Sequence, residues 1–242
     1  YLIRGHVLIV AGRSMRKGTQ LDQSRGGGVS SIDVDKSALA VDLALALAPD
    51  HRVVLCLPDL AGSSPTALWD AGVTVLTQDM LVPDVLKAAG GDRARLLIAM
   101  RDLHGENIVL TRAALSPSLG NASLECRCMI EPLSIKCEFR IEDYLEPETL
   151  PRVRVFNESE LIARCLLRDH PPDKEIAQNP ALGVHVLLVG LGSVGQSILL
   201  QLARIGHYRD GKKVKVTVVD RKVNAHLNEM RKAYPAVEDW LT

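Results

Sequence analysis

An α/β fold of two tandem, doubly wound parallel sheets, the second incomplete, is predicted by three features of this 242-residue sequence. Short β-branched or aliphatic runs alternate with amphipathic stretches along most of the chain, which is the rhythm of strand–helix–strand units in a parallel sheet. A strand, a glycine-rich turn, a helix and a second strand follow one another from Val184 to Asp220. Pro171, Pro172 and Pro180 set that unit apart, dividing the chain into residues 1–170, a linker at 171–182 and residues 183–242.

Composition agrees with this class and limits the function. Hydrophobic residues make up 47% of the chain but aromatic ones only 3%, so the core is aliphatic. Lys and Arg together number 29, as do Asp and Glu, so no net field calls for a nucleic-acid partner or an anionic membrane surface. No apolar run reaches the roughly 18 to 20 residues that cross a bilayer. Five cysteines, an odd number set mostly in expected strands and helices, read as buried thiols in a reducing compartment. Cys126 and Cys128, with Cys137 further on and no nearby His, are a weak metal signature.

Taken in order, His6 to Val10 reads as a strand ending at Ala11-Gly12. Arg13 to Ser31 follows, polar and glycine-rich, with Arg13, Arg16, Lys17 and Arg25; it reads either as a basic loop gripping phosphate or as a solvated insertion. Ser37 is placed as an N-cap, and Leu39, Leu43, Ala46 and Leu47 as the apolar side of a helix. Arg52 to Leu57, Gly72 to Asp79, Ala94 to Met100, Ser123 to Ile130 and Val153 to Phe156 supply further strands. Helices are expected at Val82 to Ala89, at His104 to Leu115, and at Glu158 to Asp169 with Leu161, Ile162, Cys165 and Leu166 on its apolar side.

The second unit carries the sharpest chemical signal. Val184 to Val189 leads into Gly190-Leu191-Gly192-Ser193-Val194-Gly195, a G-x-G-x-x-G. Val194, Ile198, Leu199, Leu202 and Ile205 then recur at helical spacing, Gly206 stops the helix, and Lys213 to Val219 makes the next strand. Gly190 allows the tight turn, Gly192 lets backbone approach a pyrophosphate, and Gly195 lets helix and strand pack closely. Free N–H groups around Ser193 and Val194 at the helix start favour phosphate. Asp220, at the tip of the second strand, can accept hydrogen bonds from ribose hydroxyls and would repel a 2′-phosphate; Arg221 can lie against adenine or the ribose edge. This pattern calls for NAD(H), or an adenine nucleotide such as ATP, over NADP(H). Val223 to Tyr234 reads as a second helix, after which no third strand follows, so the chain is expected to continue past Thr242 or to have this sheet edge covered.

These residues also resemble a family. Ala71 to Asp79 (AGVTVLTQD), Leu86 to Gly90 (LKAAG), Arg93 to Met100 (RARLLIAM), Glu106-Asn107 with IVL after it, and Val153 to Arg164 are similar to the Trk-type potassium-uptake regulatory subunit, or regulator-of-K⁺-conductance (RCK) domain. The stretch from Val184 to Asp220 looks like the same pattern starting again. The resemblance implies tandem Rossmann-like domains that sense a nucleotide and regulate a potassium channel or transporter within a homo-oligomer. It implies a cytoplasmic place at the inner face of the membrane, through a membrane domain in the same chain or another subunit. The opening Tyr1 to His6 is similar to the junction that follows a membrane pore. Asp59 would correspond to the ribose acid of the first domain and Asp79 would lie near adenine, unless Asp79 serves as a helix cap. The first domain departs from the pattern, since Gly12 is its one clear phosphate-loop glycine and Gln78 precedes Asp79 where glycine is usual.

Two other classes compete. An NAD-dependent oxidoreductase would need a general acid or base, and His104, His170 and His207 form no recognisable catalytic constellation. A Rossmann scaffold without ligand would have no use for the intact second glycine pattern.

Overall fold

The computed structural model of the protein describes residues 5–12, 36–58, 65–78, 83–131, 141–174, 183–206 and 214–235, with backbone alone for Pro83 and Ile141. Residues 13–31, Asp59, Asp79, Cys137, His207 and most of the linker, singled out in the sequence, lie outside them.

Strands β1 (Val7–Gly12), β2 (Val53–Cys56), β3 (Thr74–Leu76), β4 (Leu96–Arg101), β5 (Glu125–Met129) and β6 (Val153–Phe156) form one sheet in the order β3-β2-β1-β4-β5-β6. Strands β1 to β5 pair in parallel, and the order reverses beside β1, as in a Rossmann-like doubly wound sheet. The near-continuous apolar runs of β1, β2 and β4 are what central parallel strands need, since both their faces are covered. Helices α1 (Lys36–Leu47), α2 (Pro65–Asp70), α3 (Pro83–Ala88) and α4 (His104–Leu115) connect the strands.

Two local expectations change here. In α1 the fully buried residues are Ala40 and Ala44, while Leu39, Leu43 and Leu47 are half-buried and Ala46 is exposed. An Ala pair one turn apart lets the helix approach the sheet more closely than leucines would. Ser37 lies inside the first turn of α1 and not before it. Helix α2 was not foreseen, although Pro65 after two serines is a helix-start signal.

By contacts the chain divides into two compact units, Tyr1–Met129 with Ile141–Val155, and Ile130–Arg140 with Phe156–Thr242. The second holds helix α5 (Glu158–Asp169), strand β7 (His185–Val189), helix α6 (Ser193–Ile205), strand β8 (Lys215–Val219) and helix α7 (Val223–Ala233). Strands β7 and β8 are parallel and in register from His185↔Lys215 to Val189↔Val219. Leu188, Leu191, Leu199, Leu200 and Met230 form the core of this unit, with Val216, Val218 and Leu227 against it. On the other sheet face, Leu187 and Val189 are 64% and 75% exposed.

Helix α5 reverses its expected orientation. Leu161, Ile162, Cys165 and Leu166 are exposed, whereas Ser159, Glu160 and Ala163 are buried. The cause is α6: Glu160 Oε1 accepts from Gln201 Nε2 at 3.4 Å and Arg204 Nη1 at 3.0 Å, as well as from Arg164 Nη2 at 3.0 Å on its own helix. The carboxylate is buried and charge-paired, so the side of α5 that carries it is the side that meets α6. Asn157 caps α5, its side chain accepting from Glu160 N at 3.0 Å and donating to Ile130 O at 2.9 Å. In α6 the buried set is Gly195, Ser197, Leu199, Leu200, Gln201 and Leu202, while Val194 and Ile205, expected on the apolar face, are exposed.

Candidate nucleotide site

Between β7 and α6 the chain makes one tight turn that brings together most of the residues singled out in the sequence. Gly190 has φ 94°, which an L side chain rarely adopts, and its N–H donates to Val219 O at 2.8 Å, the last bridge of the two-stranded sheet. Gly192 is extended and precedes the first helical residue, Ser193; its carbonyl accepts from Gln196 N at 2.8 Å. A Cβ at Gly195 would collide with the Gly190 carbonyl oxygen and lie 3.1 Å from its carbon. At Gly192, by contrast, no atom lies within 4 Å of where a Cβ would be. Gly192, Ser193 and Val194 are exposed. The N–H groups of a helix's first turn have no partner within the helix and carry the positive end of its dipole. An open space faces them here.

Asp220 stands at the end of β8, beside this turn. Its Oδ2 accepts from Leu191 N at 2.8 Å and its Oδ1 from Lys222 N at 2.6 Å. These bonds, Leu191's first, hold its carboxyl below the usual Asp range. Its side chain is 16% exposed, and His226 Nδ1 of α7 lies 3.6 Å from Oδ1. An ionised carboxylate has about four acceptor sites, so two bonds leave capacity for ribose hydroxyls. Arg221 is exposed on the following turn. Sequence reasoning found Asp220 but missed its backbone partners, and also Gln196, whose Nε2 donates to Leu191 O at 3.1 Å. Backbone N–H groups leave no mark in a sequence.

The residues here fit a phosphate-bearing nucleotide. Gly192 supplies a cradle that a side chain would fill, the start of α6 supplies donors, and Asp220 supplies an acceptor at the strand tip.

The corresponding place in the first unit is built differently. Gly12 ends β1 with φ 88°, but a Cβ there would lie 3.0 Å from Pro58 Cδ and 3.1 Å from Ser37 Oγ. Gly12 is in register with Arg101 of β4, which is wholly buried and donates from Nε to Glu106 Oε2 at 2.7 Å. Asn107 pins the end of β4: it accepts from Arg101 N at 2.7 Å and donates to Arg101 O and Met129 O, both at 3.0 Å. The Glu106-Asn107 pair thus ties α4 to the ends of β4 and β5. Arg101 was not singled out in the sequence; an arginine closing an apolar strand five residues before a glutamate was the available signal.

Three of the thiols are buried as expected, while Cys165 is exposed, against the expectation. Cys56, Cys126 and Cys128 are buried, and burial pushes them up to about 12, about 12 and about 11. Among the described residues no group of three His, Cys, Asp or Glu could hold a metal ion, and no helix is long and apolar enough to cross a membrane.

No family model and no curated protein matches the chain. Among solved structures it is similar to the GsuK channel bound to NAD, at 13% identity and a TM-score of 0.48 over 97% of this chain and 52% of that one. GsuK bound to ADP gives 15% and 0.47 over 97% and 52%. The TrkA-N domain of the inner membrane protein YbaL from Escherichia coli gives 17% and 0.41 over 69% of this chain and 98% of that one. The chain spans about half the length of the GsuK chains. Likeness at this level transfers no function.

Proposed function

We propose that the protein is a regulatory module that binds NAD(H), or another adenine nucleotide such as ATP, at the β7–α6 turn and so controls a potassium channel or transporter. The open space at Gly192, beside the exposed start of α6 and next to Asp220, carries this reading. In it, N–H groups of Gly192 to Gly195 hold the phosphates, Asp220 takes the ribose hydroxyls with its remaining acceptor capacity, and Arg221 lies along the adenine side. Asp220 disfavours a 2′-phosphate by charge.

The potassium link rests on the family resemblance in the sequence, and with it the membrane partner, the homo-oligomer and the cytoplasmic setting. The same reading keeps residues 1–170 and 183–242 as tandem domains joined at 171–182. Binding shifts a conformation and starts no reaction; a ligand moves such an equilibrium by the difference in its affinity for the two states.

A thermal-shift series of NAD⁺, NADH, NADP⁺, ATP and ADP on the full chain tests the binding. A ligand at about 100 times its Kd adds about 2.7 kcal/mol to stability. We expect NAD(H) or the adenine nucleotides to raise Tm and NADP⁺ to do so less; no shift with any of them overturns the reading. Potassium flux with and without the bound nucleotide, in the protein joined to its membrane partner, tests the control.

A further inference from the structure

Asp220 has a task that precedes any ribose. Its carboxylate draws two backbone N–H groups from two separate turns, Leu191 from β7–α6 and Lys222 from β8–α7. The sheet ladder ends at Gly190 N to Val219 O, 2.8 Å, and the Leu191 N to Asp220 Oδ2 bond continues it one rung further through a side chain. Leu191 is fully buried in the core of the unit, so its N–H has no solvent substitute if the carboxylate leaves. Leu191 O is held as well, by Gln196 Nε2 of the first turn of α6. The phosphate cradle at Gly192 is therefore fixed on its strand side by Asp220.

We propose, building on the nucleotide reading, that Asp220 is a positioning residue that clasps the glycine loop shut before ligand arrives, so that the N–H groups from Gly192 onward are already in place for a pyrophosphate. Ribose recognition is the second use of the same carboxylate, through the lone pairs the backbone leaves.

The two roles separate with a probe that has no ribose. Inorganic pyrophosphate and ADP are titrated into the full-length wild type, Asp220→Ala and Asp220→Asn, and amide hydrogen exchange at Leu191 and Lys222 is followed without ligand. A clasp predicts that Asp220→Ala weakens pyrophosphate about tenfold, the scale of one charge-assisted hydrogen bond. Asp220→Asn, which keeps one acceptor, recovers part of that affinity. In the ligand-free wild type both amides are protected, and Asp220→Ala loses this protection. If Asp220 serves ribose alone, removing its negative charge leaves pyrophosphate binding unchanged or tighter while ADP weakens; that result overturns the clasp. Should the wild type bind neither probe, the nucleotide reading fails, and the exchange data still decide: a Leu191 amide unprotected in the wild type, or equally protected in Asp220→Ala, ends the proposal.

Discussion

Gly12 and Gly190 end the first strand of their units in nearly the same backbone state, φ 88° and 94°, yet their surroundings differ. Pro58 and Ser37 press against Gly12, and its register partner Arg101 is buried with its own carboxylate. Nothing lies within 4 Å of a Cβ at Gly190 or at Gly192, and α6 starts three residues beyond Gly190. The same backbone state at the end of a strand thus leaves room for a ligand in one unit and is closed in by side chains in the other.

The largest effect that would sharpen this contrast is at Gly195. Any side chain there meets the Gly190 backbone, which cannot swing away as a flexible side chain could. Gly195→Val should destabilise the second unit by about 3 kcal/mol, the upper end for overpacking. Gly12→Ala meets only side chains and adds the strain of a left-handed residue, so about 1 to 2 kcal/mol is expected. Urea unfolding of both variants checks the order; equal losses would mean that the two turns are built alike.

How much of this was legible in the sequence follows the same division. The bounds of β6, α4 and α5 were read as observed, because the switch from the apolar run Val153–Phe156 to Asn157, a helix-capping residue type, and the Ser116-Pro117 step after Leu115 mark ends that a sequence shows. The glycine loop was legible because its spacing is a pattern in itself, with Gly190 left-handed and Gly195 against the Gly190 backbone. The facing of α5 was not: hydrophobic period pointed Leu161, Ile162 and Leu166 inward, whereas the side that meets α6 carries Glu160, paired with Arg204 44 residues away. The buried Arg101 was hidden for a like reason, since its partner Glu106 is on the next helix. Polar pairing across elements has no period to read.

A smaller effect separates the units by pH. His6, at the start of the first sheet, is buried, and burial lowers its pKa below the ordinary value near 6.5. The unfolded chain therefore takes up a proton there before the folded one does. The stability this gives is whole above about pH 6.5 and is lost as pH falls through the lowered native value. Asp220 has the same sign, but its contribution starts to fall only near the ordinary Asp value of about 3.9. Unfolding free energies of wild type and His6→Leu between pH 7.5 and 5 should diverge in slope, the variant being the flatter; parallel curves would show that His6 takes up its proton at the same pH in the folded and unfolded chain.

The smallest change in stability belongs to the residue on which the proposed function most depends. Gly192 is exposed, has φ −69° and ψ −171°, which any residue adopts, and has no neighbour for a new Cβ to meet. Gly192→Val should therefore shift unfolding by no more than about 1 kcal/mol, the scale of a poorer N-cap at the start of α6. The same branched side chain would stand where a pyrophosphate must approach the start of α6, so the thermal shift given by NAD(H) or ADP should disappear. Stability without binding is the signature of a cradle kept empty for a ligand. Binding that survives Gly192→Val would place the phosphates elsewhere, and a large loss of stability would mean that Gly192 serves packing, as Gly12 does between Pro58 and Ser37.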